Sequence, residues 1–204
     1  MFGKLFKKRT PGEITSNDDS YGKLWIEALE ARFGKVTTIK KMQCPNKPVI
    51  YILYFDGLPE KGCLTAITCG LSRAKHPDWK LGAPELIVTM ESPSYSWGMA
   101  AGYFASSFFG EKRFSYGDVF KVDDPLSPDE GDMNAYLLFA PSFLDEEQSR
   151  FVLPEGTVNL VGLYPLYEDE IAVYDRIGLE AFWQADGFEM HNPKRSHVSS
   201  NKLS

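Results

Sequence analysis

Three groups of side chains in this sequence have types and spacings that could do chemistry. Ser72 sits in Gly70-Leu71-Ser72-Arg73-Ala74, directly after a strand-like run, which is the setting of a nucleophile elbow. An elbow leads straight into a helix and places a histidine beside the serine as base. Here Pro77 and its neighbours favour extended chain, His76 follows at only four residues, and His191 and His197 lie in a polar C-terminal stretch. Ser72 therefore reads as a turn residue, with hydrolysis through it a remote alternative. The second group is the segment Asp123 to Met133, which holds Asp123, Asp124, Asp129, Glu130 and Asp132. It lacks the alternating ligand spacing of a calcium loop, so no specific metal site is expected. The third group is Glu168-Asp169-Glu170. Carboxylate-pair catalysis needs two groups facing each other across a cleft, one of them desolvated. Three consecutive acids in a first helical turn complement the helix dipole instead, and can also form an acidic contact patch. These eight carboxylates are the expected partner-binding residues.

Other chemistries lack their residues. No GxxxxGK[ST] or GxGxxG phosphate loop occurs, and no cofactor is expected. Cys44, Cys63 and Cys69 come without a CxxC pair or clustered histidines, so they read as small buried hydrophobes rather than zinc ligands. Their odd number and sparsity argue against a disulfide framework and for a reducing compartment, the cytoplasm. Base stacking by the aromatic run is not expected, because residues 88–110 contain no Lys or Arg. No apolar run approaches the roughly 18 residues of a membrane span, and the basic start of the chain lacks the apolar core of a secretory signal.

The elements that position these groups follow from periodicity. Tyr21, Leu24, Trp25, Ala28, Leu29 and Phe33 recur at helical steps, with a Ser/Asn/Asp cluster before them as cap and Gly34 as stop. Val36 to Met42, Val49 to Phe55 and Cys63 to Cys69 predict an antiparallel meander separated by Pro/Gly/Asn turns, and Glu85 to Met90 a further strand. Tyr95 to Phe109 predicts a helix with Trp97, Ala101, Phe104 and Phe108 on its apolar face. Gly98, Ala101, Gly102 and Ala105 give it a small-residue side that can approach a sheet closely. Phe114 to Val122, Ala135 to Ala140 and Val158 to Tyr164 predict strands. Glu168 to Arg176 and Leu179 to Ala185 predict short helices broken at Gly178. The fold class is α+β, a mostly antiparallel sheet with helices packed on it. The domain reading is a disordered basic arm over 1–17, one domain over 18–188, and a disordered polar basic tail over 189–204.

Charge is distributed unevenly. Residues 118–189 carry three basic and seventeen acidic side chains, a charge of −14 in a chain whose net charge is −6. Such a field favours cationic partners and disfavours nucleic acid, or else serves solubility alone.

Several segments together resemble the suppressor-of-fused-like domain, in particular its short bacterial members. They are Gly70-Leu71-Ser72, Pro84-Glu85-Leu86, Trp97 through Ala105, Tyr116-Gly117-Asp118-Val119, Tyr164 through Glu170, Gly178-Leu179 and Phe182-Trp183, and they run in family order over roughly residues 49–185. The animal protein of that family has an additional C-terminal domain for which this chain has no room, so a two-sided clamp is not carried over. The resemblance implies binding of a protein partner without catalysis, and for bacterial relatives an immunity role in polymorphic-toxin systems. The expected function is an immunity or antitoxin-like protein that neutralises a basic toxin domain by binding. The alternative is a general scaffold or regulatory module that grips an extended peptide at a sheet edge.

Overall fold

A computed structural model describes residues 19–198. The basic arm expected over 1–17, part of the cap expected for the first helix, and residues 199–204 lie outside the described residues. Helix α1 (Asp19–Phe33) turns Tyr21, Trp25 and Leu29, four residues apart, onto the sheet as a buried stripe. It stops at Gly34, whose φ of 88° lets its N–H return to the Glu30 carbonyl at 3.0 Å.

Strands β1 (Thr38–Met42), β2 (Ile50–Asp56), β3 (Leu64–Cys69) and β4 (Ala83–Met90) form the expected antiparallel meander. Helix α2 (Ser96–Ser107) then crosses one face of the sheet. The chain continues through β5 (Val119–Lys121), β6 (Ala135–Phe139), the short α3 (Glu146–Ser149), β7 (Arg150–Leu153), β8 (Gly156–Leu166) and α4 (Glu168–Trp183). The sheet order is β1-β2-β3-β4-β8-β6-β5, with β7 paired to β8 as well. Among the described residues only the β4–β8 pairing is parallel, and it joins the N-terminal meander to the C-terminal strands. Strand β8 is long enough to hold β4 on one edge, and β7 followed by β6 on the other.

Side-chain alternation divides the sheet into two buried faces. Ile50, Ile52, Tyr54, Leu86, Val88, Tyr136 and Leu138 pack under α2 with Trp97 and Phe104. On the opposite face Leu53, Ile67, Ile87 and Leu160 meet α1, while Ala135, Leu137, Tyr164 and Leu166 meet α4 through Phe182. The small-residue side of α2 lies against the sheet as expected. A Cβ on Gly98 would come within 2.5 Å of the Ala66 Cβ and 2.6 Å of the Tyr54 ring, and one on Gly102 within 2.7 Å of Ile52. The break expected at Gly178 is present as a non-helical φ of 80° inside α4.

Three expectations differ. The strand expected over Phe114 to Val122 is reduced to β5, because Gly117 takes a φ of 87° and turns the chain just before it. Strand β7 escaped notice, since four residues with Val152 facing solvent carry no alternating signal. Residues 189–198, expected within a disordered tail, pack on the domain, burying Arg195 and Val198 to 4% and 2% exposure. Their polar side chains satisfy buried groups of the body, a role that composition alone does not reveal. Among the described residues no helix is long and apolar enough to cross a membrane.

Phe104 is fully buried beneath Tyr136 and Phe120, so Phe104→Ala should lower the unfolding free energy by about 3–5 kcal/mol in urea melts. Gly98→Ala should lose about 1–3 kcal/mol by overpacking. Gly22→Ala, whose Cβ meets nothing within 4 Å, should be neutral or stabilising by up to about 1 kcal/mol. Unchanged melts for Phe104→Ala and Gly98→Ala would mean that α2 buries a different face.

Candidate functional site

The acidic loop after β5 and the start of α4 are far apart in sequence and adjacent in space. Strand β6 follows the loop and pairs with the end of β8, so Ala135 lies opposite Leu166 and the loop returns beside the first turn of α4. Asn134 ties the two together. Its N–H donates to the Leu166 carbonyl at 3.1 Å and its side-chain amide to Glu168 Oε2 at 3.3 Å. Lys121 on β5 pairs with Glu168 Oε1, and these two partners hold the Glu168 carboxyl below the usual carboxylate range. The resulting end of the molecule exposes Asp123, Asp124, Asp129, Asp132, Glu168 and Asp169.

The other two expected contact residues face inward. Glu130 is half-buried, with its oxygens accepting from Ser92 Oγ at 2.6 and 2.7 Å and from Trp97 Nε1 at 2.6 Å, so it ties the loop to α2. Glu170 has no exposure at all. As the third residue of α4 it reaches back to the Tyr167 N–H at 2.9 Å, as a capping-box glutamate does. Its oxygens also receive Arg195 Nη1 and Nη2 at 2.5 Å each and the Val198 N–H at 2.7 Å. A carboxylate with its lone pairs filled inside the fold offers nothing to a partner, so Glu170 is corrected from contact residue to structural anchor. Charge counting alone does not reveal this role of Arg195, because its polar segment carries no periodicity that would fix it on the domain.

Two further features border the acidic end. Strand β5 is the outermost strand on that side. The Val122 N–H donates to the Asn134 carbonyl, and the Leu138 N–H to the Asp118 carbonyl, at 2.9 Å each. By alternation, the N–H and C=O groups of Val119 and Lys121 therefore point away from β6. Beside them Tyr116 is 52% exposed and leans on Phe139 at 5.4 Å. Asn134 Oδ1 is a buried acceptor without a hydrogen-bond partner among the described residues. Leaving such a group unmatched costs about 1–3 kcal/mol.

Ser72 lies elsewhere, in the short turn after β3, and its partners explain it. The backbone ladder between β3 and β4 ends at Ile67 opposite Ile87, and the Glu85 carboxylate fills the space beyond. Glu85 Oε1 accepts from the Gly70 N–H at 2.8 Å, the Ser72 N–H at 3.0 Å and Ser72 Oγ at 2.7 Å. Its Oε2 accepts from Thr68 Oγ1 at 2.6 Å. Tyr21 OH also contacts Ser72 Oγ. Burial pushes the Glu85 carboxyl up, against the pull of these donors. His76 turns toward the Trp79 ring and the Asp78 N–H.

The histidine that meets a serine is His191, whose Nε2 lies 2.8 Å from Ser142 Oγ. Its Nδ1 is 2.9 Å from the Thr89 carbonyl, which can only accept, so Nδ1 carries the proton and Nε2 accepts from Ser142. The His191 carbonyl in turn takes the Glu91 N–H at 2.8 Å, and the ring clasps the C-terminal segment to β4. Glu85 was legible as the one charge inside an otherwise apolar strand. The Ser142–His191 contact had no local signal. No group of three metal-ligating side chains converges among the described residues.

Glu170→Ala should cost about 3–5 kcal/mol in urea melts, because it leaves the Arg195 charge buried and unpaired, whereas Asp169→Ala should stay within about 0.5 kcal/mol. Equal effects would contradict this inward and outward division. Glu85 holds its proton more tightly in the folded chain than unfolded. Its contribution is therefore fully present below the ordinary carboxylate range, and is lost as pH rises through its raised folded value. The stability difference between wild type and Glu85→Gln, measured in urea melts across pH, should fall with rising pH; a difference that rises would contradict the assignment.

The comparisons with known proteins agree with this layout. Residues 46–196 match the family model described as Suppressor of fused protein (SUFU). No curated protein sequence matches. Among solved structures, the putative SUFU homolog from Neisseria gonorrhoeae FA 1090 superposes with a TM-score of 0.67 at 12% identity, covering 88% of this chain and 97% of that one. A chain of the Sufu–Fu complex gives 0.61 at 13% identity, covering 87% and 91%. Drosophila Suppressor of Fused gives 0.61 at 14% identity, covering 87% of this chain and 51% of that one, so the chain spans about half of the fly protein. These likenesses establish the fold: an eight-stranded, mostly antiparallel sheet with helices on both faces. The resembling segments fall in the turn after β3, β4, α2, the turn into β5, the β8–α4 junction and α4 itself, all inside the matched range. With most of its length matched by this one family model, the chain belongs to the suppressor of fused family.

Proposed function

We propose that the chain is a non-catalytic binding protein that neutralises a cationic toxin domain in a bacterial cytoplasm by covering it, with the acidic end as the contact face. The observation that carries this reading is the convergence of two acid-rich segments, six of their carboxylates exposed, beside the open edge of β5. Potential of one sign concentrated at one end steers an oppositely charged partner into encounter and sets its orientation. The Sufu–Fu complex supports protein binding as the family's mode of action. None of the three cysteines is in a disulfide, which suits a reducing compartment.

A second reading, a scaffold that takes an extended peptide as an added strand, draws on the outward backbone groups of Val119 and Lys121. Hydrolysis through Ser72 has less support, since its hydroxyl lies between Glu85 and Tyr21 while His76 faces Trp79.

Stopped-flow association with a basic toxin domain, sought first in the adjacent gene, tests the proposal. The on-rate should fall as salt rises, because screening shortens the field to about 8 Å at physiological ionic strength. Asp123→Lys with Asp124→Lys, or Asp129→Lys with Asp132→Lys, should slow association several-fold with little change in the off-rate. Tight binding with a salt-independent on-rate and silent reversals would leave the acidic end a solubility device. Absence of binding would remove the toxin assignment.

A further inference from the structure

His197 occupies part of the acidic end from within the chain. Its imidazole stacks on the Tyr167 ring with centroids 3.6 Å apart and planes 9° from parallel. Its Nδ1 lies 3.0 and 3.1 Å from the two oxygens of Asp169. A flat nitrogen heterocycle thus lies on an aromatic floor while one edge faces both oxygens of a carboxylate. A guanidinium satisfies the same arrangement better, because it stacks on an aromatic face and offers paired donors to a carboxylate at once. The charges around the floor favour a cation. The Arg195 guanidinium, 5.1 Å from the Tyr167 ring centre, is the foremost charge acting on that ring and is matched by the buried Glu170. This leaves Asp132 and Asp169 as the carboxylates acting on it from the surface.

The segment separates a fixed part from a loose part. Arg195 and Glu170 are 1% and 0% exposed at their side chains, and Val198 is anchored to Glu170 through its N–H. The His197 and Asp169 side chains are 48% and 67% exposed. A pair in that setting is weak, because water screens both partners. The imidazole can therefore swing out by a change of rotamer, while Arg195 and Val198 keep the backbone in place.

We propose that Tyr167 and Asp169 form a subsite for an arginine side chain of a partner protein, and that His197 is its internal occupant, displaced when the partner binds. The proposal rests on the acidic end being the contact face and names the group it recognises. A chain whose subsite is filled binds with an affinity lowered by the fraction of time the subsite is open.

The probe is a blocked Gly-Arg-Gly-Arg-Gly peptide and its lysine counterpart, titrated into the full chain and followed by NMR at the Tyr167 ring. His197→Ala and His197→Gln, each first shown to melt like wild type, should bind the arginine peptide about three- to ten-fold more tightly than wild type. The lysine peptide should gain less, and Asp169→Asn added to either variant should abolish the gain. Equal affinities for wild type and both His197 variants, or a gain that survives Asp169→Asn, would overturn the subsite. The two proposals fail separately. A salt-independent toxin association leaves the peptide gain standing, whereas an unaltered peptide affinity removes the subsite and leaves the acidic end.

Discussion

Taking the Glu170 carboxylate wholly out of water costs several kcal/mol unless charge and hydrogen bonds replace its hydration. The chain supplies both from one place, the C-terminal segment that brings Arg195 and the Val198 N–H to the first turn of α4. That requirement orders much of what surrounds it. Arg195 Nη2 also donates to the Pro165 carbonyl at 3.0 Å, and Tyr167 OH donates to the Arg195 carbonyl at 2.9 Å. The segment is thereby fixed across the end of β8. Upstream, His191 clasps the same segment to β4 and Ser142, so the closing stretch spans both sides of the parallel β4–β8 junction.

Glu85, the second fully buried carboxylate, shows what happens without a cation. Four donors from Thr68, Gly70 and Ser72 surround it, yet burial still pushes its carboxyl up. It closes the gap where β3 and β4 part, far from the acidic end. Together with the half-buried Glu130, these residues show that the acids of the chain have two roles. Some hold elements together from inside, and the remainder, displaced outward by the same geometry, form a surface of one sign. The acidic end therefore owes its rigidity to carboxylates that point inward.

Much of the architecture was legible before any coordinates. Helical spacing from Tyr21 to Phe33, the turn-separated strands and the glycines of α2 each dictate an element by local rules, and each lies where those rules place it. Both acidic segments were equally plain. Their convergence was not, because it depends on β6 returning antiparallel to β8, a pairing with no local signature. The inward turn of Glu170 was hidden for a related reason. Three consecutive acids look alike in sequence, and only the placement of Arg195, 25 residues later, separates Glu170 from Asp169. Polar composition marked residues 189–198 as loose, although those polar groups are what hold them down.

The central claim is that the partner sits on the acidic end formed by the β5 edge, its following loop and the start of α4. Amide hydrogen exchange on a complex with the proposed toxin partner tests it most directly. The account predicts slowed exchange in residues 118–132 and 167–169, with β1 at the opposite edge of the sheet exchanging as in the free chain. Protection concentrated on β1 or β7, with residues 118–132 unaffected, would contradict it.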